Sequence, residues 1–215
     1  MLLHGWGADS KLMLPIAKRI DRLCIIPDMY GFGLTPHGDN PLTVEDYANG
    51  VIKLLDKLNI DKVDIVGHSF GGRVAIFISS VYPGRVNKLV LVDSAGVKPR
   101  RNVFYYVKVF IYKLRKKLGL NLSRYGSKEY KALSGAMKKT FVNVVNFDQT
   151  SQLGCIFCPT LIIWGGKDKT TPIYMAKKLN KKIRNSELFL IEKAGHFSYA
   201  DNLELFSVKL KTFLG

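Results

Sequence analysis

The chain has 215 residues, of which 47% are hydrophobic, and this is enough apolar material for one domain with a large core. Its formal net charge is +16, but no recognised nucleic-acid module accompanies that charge, so nucleic acid is not an expected partner. Because the sequence lacks both an apolar run of transmembrane length and the charged-then-apolar pattern of a secretion signal, we expect no integral membrane contact and a cytoplasmic location.

The first motif is a glycine-containing turn that follows a short apolar run. Leu2-Leu3 has the character of a strand end, and His4-Gly5-Trp6-Gly7 follows as a turn whose backbone amides can face a site at that end of the strand. A second apolar run, Leu23-Cys24-Ile25-Ile26, predicts another strand. In the alternative interpretation the turn is a plain strand-to-helix connection whose histidine and tryptophan only pack.

The most informative motif is the pentapeptide Gly67-His68-Ser69-Phe70-Gly71. It lies between the apolar run Val63–Val66 and the helix-like residues 72–78. A serine between a strand and a helix, flanked by glycines that relieve crowding, is typical of a nucleophile elbow. The pattern therefore predicts that Ser69 is exposed at the positive end of a helix.

The middle of the chain is strongly basic. Residues 94–152 contain nine lysines and four arginines against two acidic residues, Glu129 and Asp148. Within this segment apolar residues recur at helical spacing, which predicts a helix with one apolar face. These residues are Val103, Val107, Phe110, Ile111, Leu114 and Leu118.

Two later strands end next to residues that could activate the serine. The run Cys158–Trp164 leads to Asp168, and the run Leu188–Ile191 leads to His196. A serine nucleophile needs a base, and the base needs an orienting carboxylate. We therefore predict a catalytic triad of Ser69, His196 and Asp168. Asp93, which also follows a strand, is the alternative acid.

The negative charge of a tetrahedral intermediate requires two backbone donors. The amide of Phe70, at the start of its helix, and the amide of Trp6 are the predicted oxyanion hole. Gly5 and His68 are expected to lie in the substrate-binding site. His37 lies in a polar turn and is expected to be solvated.

Together these motifs resemble the α/β-hydrolase fold superfamily over nearly the whole chain, and within it the small esterases, carbon–carbon bond hydrolases and cofactor-free haloperoxidases. The matching segments are residues 4–7, 28–35, 67–72, 165–168 and 195–196. The resemblance implies an α/β fold over residues 1–215, with a mostly parallel sheet, helices on both faces and a helical lid inserted at 94–152. Relatives that are haloalkane dehalogenases or epoxide hydrolases carry aspartate as the nucleophile, so Ser69 argues against both activities.

Two further expectations follow from the resemblance. Superfamily members normally have two antiparallel strands before the strand that leads into the oxyanion turn. The N-terminal strands are therefore expected to be truncated, which leaves the strand 23–26 at the sheet edge. The oligomeric state stays open.

The apolar stripe of the lid is expected to cover the pocket. Three interpretations remain for the basic face of the lid: a solvated surface, a site that attracts an acidic substrate or an acidic carrier protein, or a membrane-surface lid.

The predicted function is hydrolysis of a small-molecule carboxylic ester through an acyl-enzyme on Ser69. No metal or organic cofactor is expected, and Cys155-x-x-Cys158 lacks the second ligand pair of a zinc site. A carbon–carbon bond hydrolase, a cofactor-free perhydrolase and an esterase for a carrier-protein-bound ester are alternatives on the same triad. A non-catalytic ligand-binding protein, or an inactive truncated paralogue, is the alternative from another class.

Overall fold

A parallel five-stranded sheet forms the centre of the computed structural model, which describes residues 1–99, 103–117 and 127–215. The strands lie side by side in chain order, and each pairs in parallel with the next. They are β1 (Leu2–Leu3), β2 (Val63–His68), β3 (Val86–Val92), β4 (Thr160–Gly165) and β5 (Ser186–Ile191). Because all the strands run the same way, the loops that carry the predicted site residues meet at one edge of the sheet.

Helices cover both faces of this sheet, as predicted. On one face lie α2 (Val44–Lys57), α3 (Phe70–Val81) and α7 (Tyr174–Lys182); on the other lie α1 (Leu14–Ala17) and α9 (Leu203–Leu214). A short helix, α8 (Ser198–Asp201), precedes α9. Along β3 successive side chains alternate between the two cores, with Leu89 and Leu91 in one and Val90 and Val92 in the other. This two-sided burial explains why the strands are apolar without alternation.

The insertion between β3 and β4 is helical, but its apolar stripe does not cover the pocket. It contains α4 (Val103–Lys117), α5 (Lys128–Ala132) and α6 (Gly135–Asn146). Of the stripe, Val107, Phe110, Ile111 and Leu114 are exposed, Phe110 to 67%. The cavity at the carboxyl ends of the strands is lined instead by α6. The prediction is therefore wrong for these four side chains; the side chain of Val103 and residue Leu118 lie outside the described residues.

The basic character of the insertion is visible on α4, where Lys108, Arg115 and Lys117 are exposed. Arg100, Arg101 and Arg124 fall outside the described residues. Among the helices that are described, none has the length and the hydropathy that a membrane-spanning segment needs.

The predicted strand at Leu23–Ile26 is not a strand in the structure. Leu2 N donates a hydrogen bond to Ile25 O at 2.9 Å, and this joins the segment to β1. Leu23 at its start is 89% exposed. The segment runs beside a strand of two residues, which offers too little backbone for a regular ladder.

Candidate active site

The predicted elbow is present between β2 and α3. Ser69 has φ 51° and ψ −110°, a backbone conformation that costs on the order of 1–3 kcal/mol and persists only where the surroundings enforce it. Close packing on both sides requires the flanking glycines: a Cβ at Gly71 would lie 2.2 Å from Leu3 O, and one at Gly67 would lie 2.6 Å from Gly71 O. The elbow is thus held against the end of β1.

Ser69, His196 and Asp168 form one chain of hydrogen bonds. His196 Nε2 lies 3.0 Å from Ser69 Oγ, and His196 Nδ1 lies 2.8 Å from Asp168 Oδ2. Because a carboxylate only accepts, Nδ1 carries the proton and Nε2 is free to accept the hydroxyl proton of Ser69. The structure therefore brings together the three residues that the sequence predicted as a triad.

Asp168 is held in its ionised form by the start of the following segment. Its Oδ1 accepts hydrogen bonds from the amides of Thr170 (2.7 Å) and Thr171 (2.9 Å), and Thr171 Oγ1 lies 2.6 Å from Oδ2. Burial by itself would raise the pKa of the Asp168 carboxyl, but the hydrogen bonds from His196 and Thr171 bring that pKa below its ordinary value. A negatively charged Asp168 is suited to stabilise a protonated imidazole.

The alternative acid, Asp93, has different partners. Its Oδ1 accepts from Gly165 N at 2.8 Å, and its Oδ2 accepts from the amide and the hydroxyl of Ser198 at 3.0 and 2.6 Å. Asp93 is fully buried, which raises the pKa of its carboxyl to about 7 despite these three hydrogen bonds. It therefore lies beside the loops that carry Asp168 and His196 and does not contact the imidazole.

The predicted oxyanion donors lie in the expected elements. Phe70 is the first residue of α3, and Trp6 lies in the turn after β1. Neither amide donates a hydrogen bond to another described residue, so both are available to an anion. The ring of Trp6 packs edge-on against Phe32, Phe70 and Phe141, with centroid distances of 5.0, 5.3 and 5.1 Å. This aromatic cluster fixes the turn against the elbow.

Two buried histidines support the loops around Ser69. His68 Nε2 donates to the backbone carbonyl of His196 at 2.8 Å, and burial lowers the pKa of His68 to about 4. His4 Nδ1 donates to Gly5 O at 2.8 Å, and its Nε2 accepts from Met29 N at 3.1 Å. Both rings are thus neutral structural groups, one behind the base and one behind the oxyanion turn.

Ser69 and His196 open into a cavity of about 1220 Å³. Gly5 and His68, which the sequence predicted to lie in the substrate-binding site, are among the residues that line it. Its wall is mainly apolar and includes Phe32, Phe70, Phe141, Val144, Val145 and Met175. A mainly apolar wall with a few polar groups is typical of a site for a small organic ligand.

His37 is not simply solvated, contrary to the sequence-based expectation. Its Nε2 lies 2.8 Å from the hydroxyl of Thr140 on α6, and its Nδ1 donates to Gly38 O. The polar turn therefore anchors α6, which lines the cavity. A contact between residues 103 positions apart leaves no local signal in the sequence.

Sequence reasoning missed three residues at the site. Thr171 bridges Asp168 and His196, with Oγ1 3.3 Å from His196 Nδ1. Ser198 binds Asp93, and Arg73 lines the cavity one helical turn after Ser69. A hydroxyl three residues after an aspartate is a common local capping pattern, so Thr171 had a readable signal. Arg73 also had a readable signal, because it is a charged residue inside the apolar helix that follows the elbow.

Comparison with known proteins identifies the family of this chain. The family model of the α/β hydrolase fold matches residues 1–135 and 102–203. A 2-hydroxy-6-oxo-2,4-heptadienoate hydrolase from Pseudomonas putida is 29% identical over 92% of this chain and 82% of its own length. A pimeloyl-[acyl-carrier protein] methyl ester esterase from Neisseria meningitidis is 24% identical over 99% of this chain and 75% of its own. An esterase structure from Exiguobacterium antarcticum superposes with a TM-score of 0.78 at 20% identity, covering 99% of this chain and 90% of that one. The chain belongs to the α/β-hydrolase fold family.

Proposed function

We propose that this protein is a serine hydrolase that cleaves a carboxylic ester of a small molecule through an acyl-enzyme on Ser69. The observation that carries the proposal is the continuous hydrogen-bond chain from Ser69 Oγ through His196 to Asp168. It is supported by the strained backbone of Ser69, by two amides that have no described acceptor, and by an apolar cavity that opens at the serine.

The geometry supports the following course of reaction. Ser69 Oγ attacks the ester carbonyl carbon while His196 Nε2 takes the hydroxyl proton, and Asp168 stabilises the imidazolium that forms. The amides of Trp6 and Phe70 bind the oxyanion. His196 then gives its proton to the departing alcohol. In the second half-reaction His196 Nε2 takes a proton from water as the water oxygen attacks the acyl carbon, and it returns that proton to Ser69 Oγ as the acid is released.

Covalent labelling tests this proposal directly. A fluorophosphonate probe phosphonylates only an activated serine, so wild type should be labelled and Ser69→Ala should not. His196→Ala keeps the serine but removes its base, and it should also lose labelling. Ser151→Ala, at an exposed serine outside the site, is the matched control. A folded wild-type protein that is not labelled would instead favour the non-catalytic ligand-binding alternative.

A carbon–carbon bond hydrolase is the second candidate, because the relative from Pseudomonas putida, 29% identical, is named a 2-hydroxy-6-oxo-2,4-heptadienoate hydrolase. That keto acid contains no ester or amide, so its hydrolysis has to break a carbon–carbon bond. The same triad would serve, with a carbon leaving group protonated in place of an alcohol. The two candidates are separated by measuring kcat/KM on 2-hydroxy-6-oxo-2,4-heptadienoate and on a panel of short-chain esters. A value for the dienoate that exceeds every ester by about a hundredfold would replace the esterase proposal.

A further inference from the structure

Arg73 is a buried cation inside the candidate active site. It lies on α3 one helical turn after Ser69, and its amide donates to Ser69 O at 3.2 Å. Its side chain lines the same cavity as Ser69 and His196, although only 5% of the residue is exposed. Charged side chains are rarely buried to this extent without an ionic partner, so the position requires an explanation.

The described residues supply little to balance this charge. Arg73 Nη1 donates to the backbone carbonyl of Phe147. Among the described residues no carboxylate lies within ion-pair distance, 4.0 Å, of the guanidinium. Asp148 acts on Arg73 only at longer range; it is exposed and accepts hydrogen bonds from Thr150. A guanidinium has five N–H donors in a planar fork that matches a carboxylate, and most of them find no acceptor among the described residues.

The surroundings strengthen the case for a ligand. Val97 and Val144, which are both buried, line the cavity together with Arg73. Burial lowers the pKa of Arg73 to about 10, so the side chain keeps its positive charge at neutral pH. Apart from Arg73, the charged side chains of Asp, Glu, Lys and Arg that line the cavity in the described part of the chain are Asp9, Lys11 and Glu129, and each is exposed or half-buried. Arg73 is therefore the charged group with the least access to solvent.

We propose that Arg73 binds a carboxylate of the substrate, so that the ester hydrolysed at Ser69 carries a free acid group. This inference rests on the proposed hydrolase function for its kinetic consequence. A residue four positions along a helix is displaced by about 6 Å, and the side chain of arginine extends further. The acid group should accordingly lie several bonds from the scissile carbonyl, as in the monoesters of dicarboxylic acids with four to six carbons.

The first test measures binding and does not require turnover. Glutarate is titrated calorimetrically into Ser69→Ala and into Ser69→Ala/Arg73→Gln. We expect the second protein to bind glutarate at least tenfold more weakly, because a charge-assisted hydrogen-bond pair is lost. Lys53→Gln in the Ser69→Ala background removes an exposed charge on α2, outside the cavity, and should change the affinity less than twofold. Equal affinity with and without Arg73 would overturn the proposal.

The second test is kinetic and uses matched substrates. The ratio of kcat/KM for monomethyl glutarate to kcat/KM for dimethyl glutarate should fall at least tenfold in Arg73→Gln. Arg73→Lys keeps the charge but not the planar fork of donors, so its ratio should lie between those of wild type and Arg73→Gln. An equal loss for both esters would mean that Arg73 only supports the fold. If Arg73→Gln does not fold, Ser69→Ala decides: glutarate should raise its Tm and dimethyl glutarate, which this variant cannot hydrolyse, should not, and the absence of that difference overturns the inference. If no ester is hydrolysed at all, the proposed function fails while the binding test still decides the role of Arg73.

Discussion

Ser198 donates both its amide and its hydroxyl to the buried carboxylate of Asp93, at 3.0 and 2.6 Å. The other oxygen of the same carboxylate accepts from Gly165 N at 2.8 Å. Ser198 lies two residues after His196, and Gly165 lies three residues before Asp168. Asp93 thus joins the loop of the candidate base to the loop of the candidate acid without contacting either side chain.

We predict that Asp93→Asn loosens this connection. In this variant the NH2 group of the side-chain amide replaces one carboxylate oxygen and faces backbone or hydroxyl donors, which need an acceptor. At least one buried donor is therefore left without a partner. The expected cost is about 1–3 kcal/mol of unfolding free energy. A loss of roughly ten- to hundredfold in kcat should accompany it, because small displacements of catalytic groups are costly. Urea unfolding and steady-state kinetics measure the two effects. Asp39→Asn, at an exposed aspartate, is the control and should match wild type.

Asp93 and His68 should give opposite pH dependences of stability. Burial lowers the pKa of His68 from 6.5 to about 4, so between these values the unfolded chain binds more protons and stability rises with pH. Burial raises the pKa of Asp93 from 3.8 to about 7, so over nearly the same range the folded chain binds more protons and stability falls as pH rises. His4, whose pKa burial also lowers, acts in the same direction as His68.

These contributions partly cancel in wild type, and single substitutions should separate them. Asp93→Asn should become more stable as the pH rises from 4.5 to 6.5, by about 1 kcal/mol or more, whereas His68→Gln should lose stability relative to wild type over the same interval. Urea unfolding at three pH values provides the measurement. Slopes of the same sign in the two variants, after subtraction of wild type, would contradict the assignment.

The triad residues should act as one unit. Ser69→Ala and His196→Ala should each lower kcat by on the order of a millionfold, and the double variant should be little worse. Asp168→Asn should cost about ten-thousandfold. In addition, the lowered pKa of Asp168 stabilises the fold above the pKa of the unfolded carboxyl. The stability difference between Asp168→Asn and wild type should therefore shrink as the pH falls below about 4. If Asp168→Asn were fully active, the acid of the triad would be a residue other than Asp168.

The elbow and the strand ends could be predicted because they depend on local sequence. Gly67, Ser69 and Gly71 occupy fixed positions between an apolar run and a helix, and the close approach of Gly71 to Leu3 O explains why no larger residue would fit. The loops of Asp168 and His196 follow apolar strands, which place them at one edge of a parallel sheet. Fold class and candidate triad therefore follow from short segments of the chain.

The remaining features depend on contacts that no short segment encodes. Helical periodicity identified the apolar face of α4 but could not say what it packs against, and the structure leaves Val107 47% exposed and Phe110 67% exposed. The distinction between Asp168 and Asp93 depends on which carboxylate the imidazole of His196 reaches, and this is Asp168, at 2.8 Å. Arg73 could be recognised as a charge in an apolar helix, but its access to the cavity required the position of α6.

Thr140 should be the residue that holds α6 over the cavity. It is fully buried, its hydroxyl donates to His37 Nε2 (2.8 Å), and the same oxygen accepts from Leu42 N (2.7 Å). Thr140→Val keeps the shape but leaves the imidazole and the amide without partners, so it should cost about 1–3 kcal/mol. It should also raise KM severalfold more than it changes kcat, because the neighbouring Phe141 and Val144 line the cavity and the reacting groups lie elsewhere. Thr140→Ser retains the hydroxyl and should behave nearly as wild type in thermal unfolding and in kinetics. If the valine and serine variants have the same Tm and KM, the hydroxyl does not anchor the helix.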